Sequence, residues 1–106
     1  RDQNDSFEGN PIVRVGQYSY QDDYLIIEGS IINIGDEKIR DLLLLCTFYD
    51  ERDRVVLIKE CYLSRERMMP AEAQDFRLQV LMDDYLKEFA RFSFEVFFAD
   101  EIRVNV

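Results

Sequence analysis

Two stretches of this chain alternate apolar and polar residues with a period of two, and nothing in it carries the period of a long helix. In "DFRLQV" Phe76, Leu78 and Val80 fall on one side and Arg77 and Gln79 on the other. In "RFSFEVFF" Phe92, Phe94, Val96 and Phe98 share a face. Successive side chains of a strand point to opposite sides, so these runs read as half-buried strands. Residues 12 to 20, "IVRVGQYSY", and 24 to 33, "YLIIEGSIIN", are β-branched and aromatic, with "QDD" supplying a turn between them. Gly16 is expected to kink or bulge the first of these strands.

The remaining strands follow from turn chemistry. "IGDEK" leads into a strand over 41 to 49, and Asp50, Glu51, Arg52 and Asp53 return the chain through "RVVLIKECYL". Pro70 in "SRERMMPAEA" cannot donate to a ladder and marks a loop. "LMDDYLKEF" has room for one short helical turn before the last Phe-rich strand. With no amphipathic helix of roughly 10–15 residues between strands, parallel βαβ units are excluded. The expected fold is all-β, an antiparallel immunoglobulin-like β-sandwich of six to seven strands, the seventh being Ile102 to Val106.

Size and charge narrow the function. The 106 residues suffice for one domain spanning 1–106, and eight Phe and six Tyr within a 47% apolar composition give it material for a core. No apolar run approaches the roughly 18 residues a bilayer-spanning helix needs, so this segment is not expected to insert into a membrane. The chain begins with Arg1 instead of Met, which leads to the expectation of a trimmed fragment. A net charge of -9 opposes phosphate backbones, so nucleic acid is not expected as a partner. No His is present, which removes the commonest acid/base group, the usual zinc ligand and every Ser-His or Cys-His pair. Ser64 and Lys59 lack the Ser-x-x-Lys spacing, and no catalytic residues are assigned.

The run "LLLLCTFY" is apolar on both faces. Alternation sends Leu42, Leu44, Cys46 and Phe48 to the sandwich core and leaves Leu43, Leu45, Thr47 and Tyr49 outside. Phe97 joins that outer set from the last strand, so Leu43, Leu45, Tyr49 and Phe97 form a candidate interaction surface. Two coverings are open: a protein partner, neighbouring domain or second copy of the chain, or the loop after Leu81 with Tyr85, Leu86 and Phe89 folding back.

The cysteines are expected to be free. An ordinary four-residue loop at Asp50 to Asp53 puts Cys46 opposite about Leu57 or Ile58 and Cys61 opposite about Leu42 or Leu43. That offset of about three residues is roughly 10 Å along the ladder, beyond disulfide reach.

Consecutively reversing strands put alternate loops at the same end. Asp22, Asp23, Asp50, Glu51, Asp53, Asp83 and Asp84 should therefore gather at one pole. Of these Asp22, Asp23, Asp50, Asp53, Asp83 and Asp84 are the candidate calcium ligands, since hard cations take several oxygen donors. The "DERDR" turn lacks EF-hand spacing, and Asp is favoured in turns for its own reasons, so no cofactor other than calcium is considered.

"EGSIINIGDEKIRDLLLLCTFYDERDRVV", then "MMPAEAQDF" and the closing Phe-rich strand, resembles the FxLYD domain family of bacterial and archaeal proteins over residues 24–98. On that resemblance Cys46 takes the Phe place of the motif, Phe48 the Leu place, and Tyr49 and Asp50 the Tyr-Asp pair, while Pro70, Glu72 and Phe76 follow the later pattern. Asp53 and Ala71 stand where the family has glycines, and because Ala tolerates a left-handed backbone poorly, a different turn type is expected at Pro70. The resemblance implies a noncatalytic sandwich in an extracytoplasmic setting, in a cell-envelope or secreted protein, acting in protein-protein contact or as a spacer. It also implies structural roles for the pair, with Asp50 closing the turn and Tyr49 packing at the strand end. The alternative function is a calcium-dependent adhesion or ligand-binding module.

Overall fold

A computed structural model describes residues 11–83 and 86–100. Its elements are β1 (Pro11–Gln21), β2 (Tyr24–Asn33), β3 (Ile39–Tyr49), β4 (Val55–Cys61), β5 (Ala73–Leu81), a 3-10 turn (Leu86–Glu88) and β6 (Arg91–Asp100). The seventh strand expected over 102–106, and the candidates Asp84 and Tyr85, lie outside the described residues.

The strands form two antiparallel three-stranded sheets, β1-β2-β5 and β4-β3-β6. The chain crosses between them after β2, β4 and β5, so each sheet mixes sequence neighbours with distant strands, as in an immunoglobulin-like sandwich. Period-two patterning decides which sides meet. Leu25, Ile27 and Ile31 of β2 and Phe76, Leu78 and Val80 of β5 face Leu42, Leu44, Cys46 and Phe48 of β3 in one core. β5 shows the rule most clearly, every second residue being buried along its length. Met68 and Leu86, from the flanking loops, are almost fully buried in the same core.

Irregularities sit where special residues permit them. The expected bulge in β1 falls at Gly16, between Val15 and Gln17. β3 begins at Ile39, two residues before the start expected at 41, and its ladder with β6 shifts between Arg40 and Leu43. Asp41 takes a φ of 57° there, a left-handed backbone that Asp accepts better than most residues. The bulge turns both Ile39 and Leu42 inward although they are three positions apart.

At Pro70 the expectation of a changed turn is overturned. Ala71 holds a φ of 70° and the Glu72 amide donates to the Met69 carbonyl at 3.1 Å, which is a type II turn with Pro at its second position. The Glu72 carboxylate accepts from the Met69 amide at 2.7 Å and clamps the turn, so the backbone keeps a glycine-like shape with an alanine in it.

Candidate functional site

The β3-β4 connection builds one end of the molecule. Asp50 Oδ1 accepts from the amides of Arg52 at 2.8 Å and Arg54 at 2.9 Å, while its Oδ2 takes Arg54 Nε at 2.9 Å. These bonds, the Arg54 amide first, hold the Asp50 carboxyl below its ordinary value. Asp53 takes a φ of 61°, and its amide donates to the Asp50 carbonyl at 3.0 Å. The ladder resumes at Tyr49 and Val55.

This turn, with a register shift between Phe48 and Tyr49, moves the cysteines from their expected partners. Cys46 lies opposite Lys59, not Leu57 or Ile58, and Cys61 lies opposite Leu44. Their offset is two residues instead of three. Both thiols are free and buried on the inner face. Burial pushes Cys46 up to about 12, with a smaller push from Cys61 nearby, and pushes Cys61 up to about 11.

Tyr49 points out of the sheet beside this turn. Arg91 lies over its ring, Cζ 3.9 Å from the centroid, and Arg91 Nε pairs with Asp53 Oδ1 at 3.0 Å. Ser93 Oγ donates to the Tyr49 hydroxyl at 3.4 Å. Phe76, the later motif residue, packs on Phe94 across the core with ring centroids 5.0 Å apart. Its ring lies over Gly29, where a Cβ would come 2.7 Å from Phe76 Cζ and nearer still to the Arg14 carbonyl. Pro70 fixes the turn described above.

The acidic loops do come together. The Met82 amide donates to the Asp23 carbonyl and the Ala90 amide to the Tyr49 carbonyl, both at 2.7 Å, so the three connections share one pole. The described carboxylates do not converge on a common point. Asp50 serves its own turn, Asp53 meets Arg91, and Asp83 Oδ1 accepts from the Leu86 amide at 3.2 Å. Asp22 and Asp23 are exposed on the β1-β2 turn. Among the described residues no three His, Cys, Asp or Glu side chains are grouped to hold a metal ion.

The outer face of β4-β3-β6 is the other sequence-derived candidate. Leu43 pairs with Phe97, Leu45 with Glu60 and Glu95 on its two sides, Thr47 with Ile58 and Ser93, and Tyr49 with Val55 and Arg91. Phe97, Ile58 and Val55 are 47%, 56% and 55% exposed, and Leu43, Leu45 and Tyr49 are half-buried. Of the covering loop, Leu86 is instead 1% exposed in the core, and Phe89 meets Phe48 edge to face with centroids 5.3 Å apart. These residues plug the end of the sandwich because the core needs closing there, and among the described residues they do not cover the outer face.

Two buried amides escaped the sequence reading. Asn33 Nδ2 donates to the carbonyls of Glu37 at 3.0 Å and Met68 at 3.1 Å, and its Oδ1 accepts from the Gly35 amide at 3.1 Å. Gln74 Nε2 donates to the Arg65 carbonyl at 2.8 Å, and its Oε1 accepts from the Arg65 amide at 3.2 Å. They satisfy loop backbone that crosses between sheets, which strand alternation alone does not reveal.

A trough of about 760 Å³ opens across β1-β2-β5, bordered by Arg14, Ser30 and Asp75 on one side and Gln17, Glu28 and Arg77 on the other. Glu28 gathers two of its polar groups: Gln17 Nε2 donates to Glu28 Oε1 at 2.8 Å, and Arg77 Nε approaches Glu28 Oε2 at 3.8 Å.

These features define an antiparallel β-sandwich domain. The same fold is found in the crystal structure of a DUF1425 family member from Shewanella sp. pv-4, with a TM-score of 0.54 and 17% sequence identity over 84% of this chain and 78% of that one. No family model matches the chain, and neither does any curated protein.

Proposed function

We propose that this domain is a noncatalytic immunoglobulin-like module whose outer β4-β3-β6 face docks against a protein partner or a neighbouring domain. The supporting observation is the apolar stripe of Leu43, Leu45, Ile58 and Phe97, uncovered among the described residues, on a sheet whose other side already supplies the core. Fold stability does not require it, and exposed apolar surface of this kind marks contact sites. The compartment, extracytoplasmic in an envelope or secreted protein, is carried by the resemblance to FxLYD domains alone.

Leu45→Glu tests the reading. A charge on a bare face leaves the fold within about 1 kcal/mol of the parent and removes whatever association the face makes. Melting curves read the first effect and sedimentation of parent and variant the second. A variant that unfolds would show the stripe to be covered within the chain. A folded variant with the same mass as a monomeric parent, and no partner lost, would remove its binding role.

A further inference from the structure

The cross-strand row through Leu45 holds a detail beyond apolarity. Glu60 on β4 and Glu95 on β6 sit directly beside Leu45 on its two sides. Two strand spacings put their backbones roughly 10 Å apart. Both carboxylates are exposed, and among the described residues neither has an ion pair or hydrogen bond. Among the described residues the cations on their face, Arg40 and Arg91, are already held, Arg40 by Asp41 and Arg91 by Asp53 and the Tyr49 ring. The stripe is therefore apolar at Leu43, Leu45, Ile58 and Phe97, with two unneutralised negative charges set into it on a chain of net charge -9.

We propose that this face receives a partner segment that is both apolar and basic, with Lys or Arg side chains reaching Glu60 and Glu95 while aliphatic groups cover Leu45 and its neighbours. This rests on the contact-surface reading above. A second copy is the poorer occupant, because a two-fold pairing brings the same carboxylates toward one another with no free cation among the described residues of the face to meet them. Strand addition at the β4 edge is opposed by Lys59, which lies opposite Cys46 on the core side yet is exposed, a charge set where an added strand would pack. Anionic lipid meets the same repulsion as a second copy.

The test uses the full chain and two end-blocked synthetic peptides, one alternating valine with lysine and one valine with glutamate. The lysine peptide binds and weakens as salt rises, while the glutamate peptide does not bind. The double variant Glu60→Gln with Glu95→Gln loses about three- to tenfold in affinity for the lysine peptide. A control with the same charge change on the opposite sheet, Glu28→Gln with Asp75→Asn, stays within about twofold of the parent, since screening confines the effect. Equal losses in both double variants would reduce the effect to net charge and overturn the proposal. Equal binding of the two peptides, abolished by Leu45→Ser, would also overturn it while leaving the contact surface standing. Peptide binding indifferent to Leu45→Ser would remove both. Sedimentation showing a dimer broken by Leu45→Ser would replace the basic partner with a second copy.

Discussion

On the outer face of β1-β2-β5 the polar side chains answer one another: Gln17 and Arg77 both turn to Glu28, and Arg77 Nη1 donates to Gln79 at 3.2 Å. On the outer face of β4-β3-β6 the central strand offers Leu43 and Leu45, and the glutamates beside Leu45 answer nothing among the described residues. Both sheets bury their other side in the same core, so the fold makes equal demands on them. An antiparallel sheet needs only one apolar face, yet the outer face of β1-β2-β5 also carries Ile26 on its central strand, 5% exposed, and Leu81 on its edge, 52% exposed. The two sheets differ in particular rows: those through Ser30 and Glu28 are polar on all three strands, whereas the row through Leu45 sets an apolar residue between two glutamates.

The sharpest way to break this comparison is within β3 itself, where consecutive leucines have opposite duties. Leu44→Ala removes a fully buried side chain and should cost about 3–4 kcal/mol, whereas Leu45→Ala on the outer side should cost about 1 kcal/mol or less. Denaturant unfolding of both variants measures the gap. Equal costs would mean that the outer face is packed as tightly as the core, and the two sheets would no longer differ in kind.

The thiols sharpen the same inner-outer division by chemistry. Cys46 and Cys61 lie on the core side and should resist an alkylating reagent in the folded protein, then both label after denaturation without reductant. A cysteine placed at Thr47, one residue along and facing out, should label at once. Protection also has a pH signature. Burial raises both thiols above their ordinary 9.0, so the neutral form is favoured by folding. The associated stability is whole below about pH 9 and is lost as pH rises through about 11 and 12, where the unfolded chain releases protons that the folded one keeps. Replacing both cysteines with alanine should flatten that alkaline slope relative to the parent. An unchanged slope, or native Cys46 labelling as fast as a cysteine at position 47, would place the thiols nearer water than the fold does.

Much of this was legible because period two is a local signal. The faces of β5 and β6, the inward set of β3 and the bulge at Gly16 follow from side-chain alternation and one missing Cβ. The apolar stripe was legible too, since the same rule that buries Leu44 exposes Leu45. What alternation does not encode is register. The Asp50 turn and the shift beside Tyr49 were needed to place Cys46 opposite Lys59, and only that register reveals Glu60 and Glu95 on either side of Leu45. The Asp41 bulge was hidden because alternation counts Asp41 as an ordinary first residue of the strand. The covering of the outer face stays open in the sequence because Leu86 and Phe89 are equally suited to a core or to an outer face, and only the open end of the sandwich decides between them. Asn33 and Gln74 were missed for a related reason: a buried amide is identified by the loop backbone it satisfies, which lies far off in sequence.

The smallest expected effect concerns the passage from one sheet to the other. The turn at Met69 to Glu72 delivers the chain from β4 into β5 and holds Ala71 at a φ of 70°. A left-handed alanine carries a steric cost of about 1–2 kcal/mol, part of which glycine returns through its freer unfolded chain. Ala71→Gly should therefore stabilise the domain by about 1 kcal/mol, raising Tm by roughly 4–6 °C. Ala71 is exposed and belongs to neither outer face, so the change should leave reactivity at position 47 and peptide binding at Leu45 as they were. If stability rises while the β4-β3-β6 face keeps its behaviour, the contrast between the sheets belongs to their own side chains. If binding shifts with the turn, the crossover sets how the stripe is presented, and the two faces are coupled through the loop that joins their sheets.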